Sequence, residues 1–163
     1  MPTPRTIRRT LLAASMALPL MTGSLPAIAS DHSEHEEHRA TASLRAPDGS
    51  KWPTDATLRQ GMGAIAGTLQ PHWQAVQTHA LPREAYLTMA ARIEGEIANT
   101  VSRCQLPKEA DHAFHQILGD MNYAVGLMRG AKPDLQRAGA LALAQALRNY
   151  GDNFEHPGWR APR

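Results

Sequence analysis

Residues 103–121 read RCQLPKEADHAFHQILGDM, and this stretch decides how the chain folds. Apolar residues at helical spacing precede and follow Leu106-Pro107, and a proline interrupts a helix but suits the start of one. The stretch therefore predicts a turn between two packed helices. It also contains Cys104, the only cysteine of the chain, and two histidines three residues apart, His112 and His115. A metal site at this turn is the competing interpretation.

Four segments with the apolar periodicity of helices extend outward from this turn. Thr54 suits an N-cap for the first segment, and Pro71 within it should kink or locally break the helix. The predicted helices cover about residues 54–79, 82–105, 107–130 and 133–154. Short connections between amphipathic helices place sequential neighbours antiparallel. The predicted fold class is therefore all-α, an antiparallel up-down-up-down four-helix bundle over residues 52–163 with a disordered N-terminal tail.

The first 29 residues have the order of a secretory signal peptide. Arginines precede an apolar run at residues 11–20, and Ala27-Ile28-Ala29 supplies a small-x-small cleavage site. The run is too short for a lasting membrane span. We therefore expect residues 1–29 to be removed on export to the periplasm, leaving no membrane anchor. The Arg8-Arg9 pair keeps the twin-arginine route open beside the ordinary secretory route.

Removal of the signal peptide changes the net charge of the protein. The chain has 17 basic and 15 acidic residues, and three of the basic ones, Arg5, Arg8 and Arg9, precede the cleavage site. The mature chain would then hold 14 basic and 15 acidic residues. The basic isoelectric point of the whole chain therefore gives no support for a nucleic-acid partner.

A polar tail, residues 30–51, follows the cleavage site and lacks the apolar residues that would repay ordering it. Its stretch DHSEHEEH contains His32, His35 and His38 among four carboxylates. Imidazole suits copper and zinc, and neighbouring carboxylates raise the local concentration of cations. The tail therefore predicts a loose transition-metal site, with a soluble spacer as the alternative.

A second candidate metal site lies at the turn quoted above. Cys104 falls with Val101 on the apolar, core-facing side predicted for the second helix, and His115 falls at the edge of the core. With Asp111 they could offer sulfur, nitrogen and oxygen ligands to one ion. The alternatives are a small buried cysteine and a boundary histidine hydrogen-bonded to the backbone.

Three stretches resemble a family of small exported bacterial proteins described as DnrO-like. They are KWPTDATLRQGMGAI at residues 51–65, CQLPKEADHAFHQIL at residues 104–118 and ALRNYGDNFEHPGW at residues 146–159. They are spread over nearly all of the mature domain. The resemblance implies a compact helical fold and an exported location, and it supplies no catalytic residues.

Haem is a further candidate ligand, because helical bundles can hold cofactors between facing helices. The chain has no Cys-x-x-Cys-His motif, which excludes covalent attachment of the c type. A non-covalent b-type haem could use Met62 and His156, which the predicted topology places at the same end of the bundle.

Another class of function is a binding or scaffold protein without a cofactor, whose partner would be another periplasmic protein. Three tryptophans could form its docking surface, or could pack against the ends of the bundle. They are Trp52, Trp73 and Trp159. No nucleophile triad, phosphate-binding loop or paired-carboxylate motif stands out. The sequence therefore predicts a protein that is not an enzyme.

Overall fold

The computed structural model describes residues 44–162 of the chain. Helices account for most of them, and no strand forms within this range apart from one isolated bridge. The helices are α1 (Ala56–Leu69), α2 (Trp73–Gln77), α3 (Arg83–Val101), α4 (Lys108–Arg129) and α5 (Pro133–Asn153). The predicted all-α class is therefore confirmed. The predicted signal peptide and the tail histidines His32, His35 and His38 lie outside the described residues.

The first predicted helix is divided where the sequence places Pro71. A 3-10 turn, Gln70–His72, separates α1 from α2 because proline cannot donate the backbone hydrogen bond that a continuous helix needs. The N-cap of α1 is Asp55, whose carboxylate accepts from the Leu58 N–H. The expectation that Thr54 caps this helix is therefore wrong.

Two other predicted helices are shorter than the apolar pattern suggested. The helix α3 ends at Val101, which is 43 % exposed although it was expected on the buried face. Cys104 consequently lies in the connection to α4 and not on a helix. The helix α5 ends at Asn153, and Phe154 is buried just beyond it in extended conformation.

The core forms where the four long helices pack, with α4 on α5 the most extensive pair and α1 on α3 and α3 on α4 next. Its largest fully buried side chains include Tyr150, Phe114, Phe154, Leu58 and Met62. Gly139 allows the close approach of α5 to α4, because a Cβ there would collide with the backbone at Ala124 and Met128.

Hydrogen bonds show which ends of the helices meet. The Gln105 N–H, after α3, donates to the Asp55 carboxylate before α1. The Arg83 guanidinium, at the start of α3, donates to the carbonyl oxygens of Gly130 and Ala131 after α4. The Arg137 guanidinium, in the second turn of α5, donates to the Val76 carbonyl oxygen in α2. Each of these bonds joins the beginning of one helix to the end of another.

Residues 44–51, assigned to the tail from the sequence, contact the helical domain. The Trp52 indole donates to the Leu44 carbonyl oxygen, and the Lys51 ammonium donates to the Gly151 carbonyl oxygen. Trp52 also bridges to Phe154: its N–H donates to the Asn153 carbonyl oxygen, and its carbonyl oxygen accepts from the Glu155 N–H. The chain before α1 is thereby attached to the end of α5.

Candidate functional site

Cys104 lies in the connection between α3 and α4, and Asp111 and His115 lie in the N-terminal part of α4. Cys104 is half-buried, and its N–H donates to the Thr100 carbonyl oxygen at 2.9 Å. Burial, followed by the nearby carboxylates of Asp55 and Asp111, raises the pKa of the Cys104 thiol. The thiol form is therefore favoured, whereas metal binding and nucleophilic attack need the thiolate.

His115 uses its imidazole within its own helix. Its Nδ1 donates to the Asp111 carbonyl oxygen at 2.9 Å and lies 3.5 Å from the Asp111 carboxylate. This is the backbone-bonded histidine that the sequence offered as an alternative, but the side chain is 59 % exposed and not at the edge of the core. Within residues 44–162, no group of three or more His, Cys, Asp or Glu residues is arranged to hold a metal ion.

Asp55 is the residue at this end of the molecule that sequence reasoning missed. One carboxylate oxygen accepts from the Leu58 N–H at 2.6 Å, and the other accepts from the Gln105 N–H at 2.6 Å. A single side chain therefore caps α1 and holds the connection beside Cys104. An aspartate before an apolar period indicates a cap, but only the packing of α1 on α3 brings Gln105 within reach.

An aromatic cluster follows the end of α5. The rings of Tyr150 and Phe154 are stacked with centroids 5.2 Å apart, and the edge of Phe114 meets Phe154 at 5.9 Å. Trp159 contacts both Tyr150 and His156 at 4.8 Å. The stretch from residue 154 to residue 162 is thus packed against α5 through its aromatic side chains.

His156 is hydrogen-bonded to the buried Tyr150, with 3.0 Å between its Nδ1 and the phenol oxygen. Burial, and then the positive charge of Arg59, lower the pKa of His156. Burial also raises the pKa of Tyr150. The pair therefore stays neutral around pH 7, and one imidazole nitrogen of the half-buried His156 satisfies the hydroxyl of the buried Tyr150.

The residues proposed as haem ligands line no common groove among residues 44–162. Met62 is fully buried in the core. His156 lines two surface grooves, and Met62 lines neither. A haem bound in either groove could be reached by His156 but not by the buried Met62. Exposing Met62 to such a ligand would cost the packing energy of its buried side chain.

The three tryptophans pack against the helices. Trp73 is buried, and Trp52 and Trp159 are half-buried against the hydrophobic core. Their indole nitrogens do not offer a shared docking surface, since that of Trp52 is bonded to Leu44 and those of Trp73 and Trp159 are inaccessible. The structure therefore favours packing for these residues.

An apolar groove of about 480 Å³ runs along the outer surface between α3 and α4. Its sides include Ile97, Ala98 and Val101 from α3 and Leu118 and Gly119 from α4. His115 lies at its rim, and the Glu94 carboxylate at the other end of the groove pairs with the Arg129 guanidinium. Val101, whose exposure the sequence did not predict, lines this groove.

Among residues 44–162, no helix has the length and apolar character needed to cross a membrane. The DnrO-like resemblance stays a prediction from the sequence. Comparison of the chain with protein-family models, curated proteins and solved structures found no match.

Proposed function

We propose that this protein is an exported, non-enzymatic helical protein that binds a transition-metal ion through its N-terminal tract. The observation that carries the proposal is the clustering of His32, His35 and His38 with four carboxylates inside eight residues. Borderline-soft imidazole selects copper and zinc over calcium and magnesium, while the carboxylates attract cations. Cys104 and His115 offer weaker support, because the thiol is held protonated and the imidazole is bonded within α4.

Cleavage after Ala29 would favour Cu(II) over Zn(II) at this tract. Ser30 would become the first residue and His32 the third. The free amine of Ser30, the amide nitrogens of Asp31 and His32 and the His32 imidazole would then offer four nitrogens in a plane. Cu(II) prefers such a square-planar set, whereas Zn(II) prefers a tetrahedral one. Binding would release the two amide protons to solvent, so the affinity should rise with pH.

Calorimetric titration of Cu(II) into the mature protein, residues 30–163, tests this site. Placing one glycine before Ser30 keeps every histidine but moves His32 to the fourth position, so the affinity should fall at least about tenfold. His32→Ala should have the same effect, and the matched variant His38→Ala should weaken binding less.

Three outcomes would count against the site. An unchanged affinity after the added glycine would show that the imidazoles alone bind the metal. Retention of binding after deletion of residues 30–40 would move the site to Cys104 and His115, where Cys104→Ser and His115→Ala would then weaken it. Absence of binding at micromolar metal would refute the metal function.

Export is the second part of the proposal, and it rests on residues 1–29. Intact-mass analysis of protein recovered from the periplasm should find Ser30 as the first residue. Retention of Met1 would contradict both the signal peptide and the amine ligand.

The helix arrangement that we propose is the antiparallel up-down-up-down four-helix bundle. The bond from Gln105 to Asp55 supports opposite directions for α1 and α3, and the bonds of Arg83 support opposite directions for α3 and α4. Nuclear Overhauser effects between protons at these helix ends would test the antiparallel arrangement. If neighbouring helices were parallel, the two ends would lie a helix length apart and would give no such signal.

A binding protein without a cofactor is the second candidate function, favoured by the apolar groove between α3 and α4. Its partner would be another periplasmic protein that presents an apolar surface. A photo-crosslinking residue at Ala98, inside the groove, should give one discrete adduct in the exporting cell, and the same residue at exposed Gln145 on α5 should give none. Equal labelling at both positions would refute it.

A further inference from the structure

Two surface grooves, each lined by residues that the metal proposal does not use, meet at His156. One, of about 890 Å³, lies between α1 and the segment after α5, and we call it the α1 groove. It is lined by Gly63, Gly67, Gln70, His156, Trp159 and Arg160 among others. The second, of about 770 Å³, adjoins it through His156 and contains Arg59. Volumes of this size are typical of sites for small molecules.

Two glycines on α1, Gly63 and Gly67, line the groove, and neither is needed for the backbone conformation or for close packing. Gly63 and Gly67 are four residues apart and exposed on one face of the helix. Both have ordinary helical backbones, and nothing lies within 4 Å of a Cβ built at either position. Glycine inside a helix costs about 0.5–1 kcal/mol relative to alanine. A larger side chain at these positions would project into the groove.

The facing side combines flat rings with positive charge. The His156 and Trp159 rings lie 4.8 Å apart and are tilted by 43°. His156 bonds Tyr150 through Nδ1, and its Nε2 has no partner among residues 44–162. Arg160 is exposed and forms no hydrogen bond or ion pair with a described residue. The residues that line the α1 groove include no carboxylate.

These features select one class of ligand. A flat aromatic ring can lie over the bare surface of α1 and contact the edge or face of the indole and imidazole. A carboxylate on that ring can pair with the Arg160 guanidinium, which matches its two oxygens. The Gln70 amide and the His156 Nε2 can meet further polar atoms. We propose that the α1 groove binds a small planar aromatic carboxylate.

Titration of the metal-free mature protein with 2-naphthoate tests the proposal. We expect saturable binding that shifts the amide signals of Gly63 and Gly67 and the indole signal of Trp159. Gly67→Leu should weaken binding at least about tenfold, since the new side chain fills the groove. Gly126→Leu is the matched control, because Gly126 is also an exposed helical glycine with open space around it but lies on α4. It should leave binding unchanged.

The role of charge is tested on both partners. Arg160→Gln should weaken 2-naphthoate binding about threefold, as expected for an exposed ion pair. The uncharged 2-naphthamide should bind unmodified protein more weakly and should not respond to Arg160→Gln. Absence of saturable binding at millimolar 2-naphthoate, or equal effects of Gly67→Leu and Gly126→Leu, would overturn the proposal. Neither result bears on copper binding by the tail.

Discussion

Residues 102–115, which form the connection between α3 and α4 and the N-terminal part of α4, and residues 154–162 after α5 both contain proline, phenylalanine and histidine, yet the protein uses them differently. In the first region, His115 on α4 is exposed, and its imidazole is bonded to Asp111 of the same helix. In the segment after α5, Phe154 is buried, and the half-buried His156 is bonded to the buried Tyr150. Phe154 has a partner distant in the chain, because it bridges to Trp52 about a hundred residues away, whereas the partner of His115 is Asp111, four residues before it.

This contrast separates residues that look like ligands from residues that complete the fold. Cys104, Asp111 and His115 suggested a metal site in the first region, but the Cys104 pKa is raised, which favours the thiol, and the His115 imidazole is bonded within α4. The segment after α5 was considered for a haem ligand, His156, and a docking tryptophan, Trp159, and in the structure it carries the aromatic packing and borders two grooves. Burial and partners decide the role, and residue type alone does not.

The largest expected change in the free energy of unfolding is in the aromatic cluster after α5. Phe154→Ala removes a fully packed ring that contacts Tyr150 and Phe114, and should lower the free energy of unfolding by about 3–5 kcal/mol. Val101→Ala, at the exposed end of α3, should change it by less than about 0.5 kcal/mol. Urea unfolding followed by circular dichroism measures both, and similar losses would remove the distinction between the two regions.

A smaller loss is expected where the connection is attached to α1. Asp55→Ala removes the N-cap of α1 and the acceptor for Gln105, and should cost about 1–2 kcal/mol. Asp120→Ala, an exposed aspartate within α4, is the matched control and should stay within about 0.5 kcal/mol. A negligible effect of Asp55→Ala in the same urea assay would mean that the connection is held by apolar packing alone.

The smallest effect is a dependence on pH. Burial and Arg59 lower the pKa of His156 in the folded protein below its ordinary value of 6.5. The unfolded chain therefore binds more protons in the window below that value, so the free energy of unfolding should fall as the pH drops through about 6.5 and level off below the folded pKa.

Urea unfolding at several pH values would detect this change, and His156→Gln should reduce it. Tyr150→Phe provides a second comparison, because it removes the hydrogen bond to His156 and should cost about 0.5–1.5 kcal/mol at neutral pH. An identical pH dependence in His156→Gln and unmodified protein would show that His156 is not the titrating group.

The helices themselves were predictable because their signals are local. Apolar residues three and four apart placed all four long helices, and Pro71 and Pro133 marked an interruption and a start that the structure has. The errors occurred at helix ends, at Thr54, Val101 and Phe154. At these ends the apolar pattern continues into residues whose backbone is not helical. The spacing of apolar residues therefore does not show where the helix ends.

For the candidate sites, the sequence by itself determined the types and order of residues: a histidine-rich tract, one cysteine and an aromatic C-terminal stretch. Tertiary structure alone decided their surroundings. It brought the Asp55 carboxylate to Gln105, placed His156 on Tyr150 and left the Gly63 and Gly67 face of α1 open beside Arg160. Periodicity reports which face of a helix is apolar, but contacts between residues fifty or a hundred positions apart depend on how the helices pack.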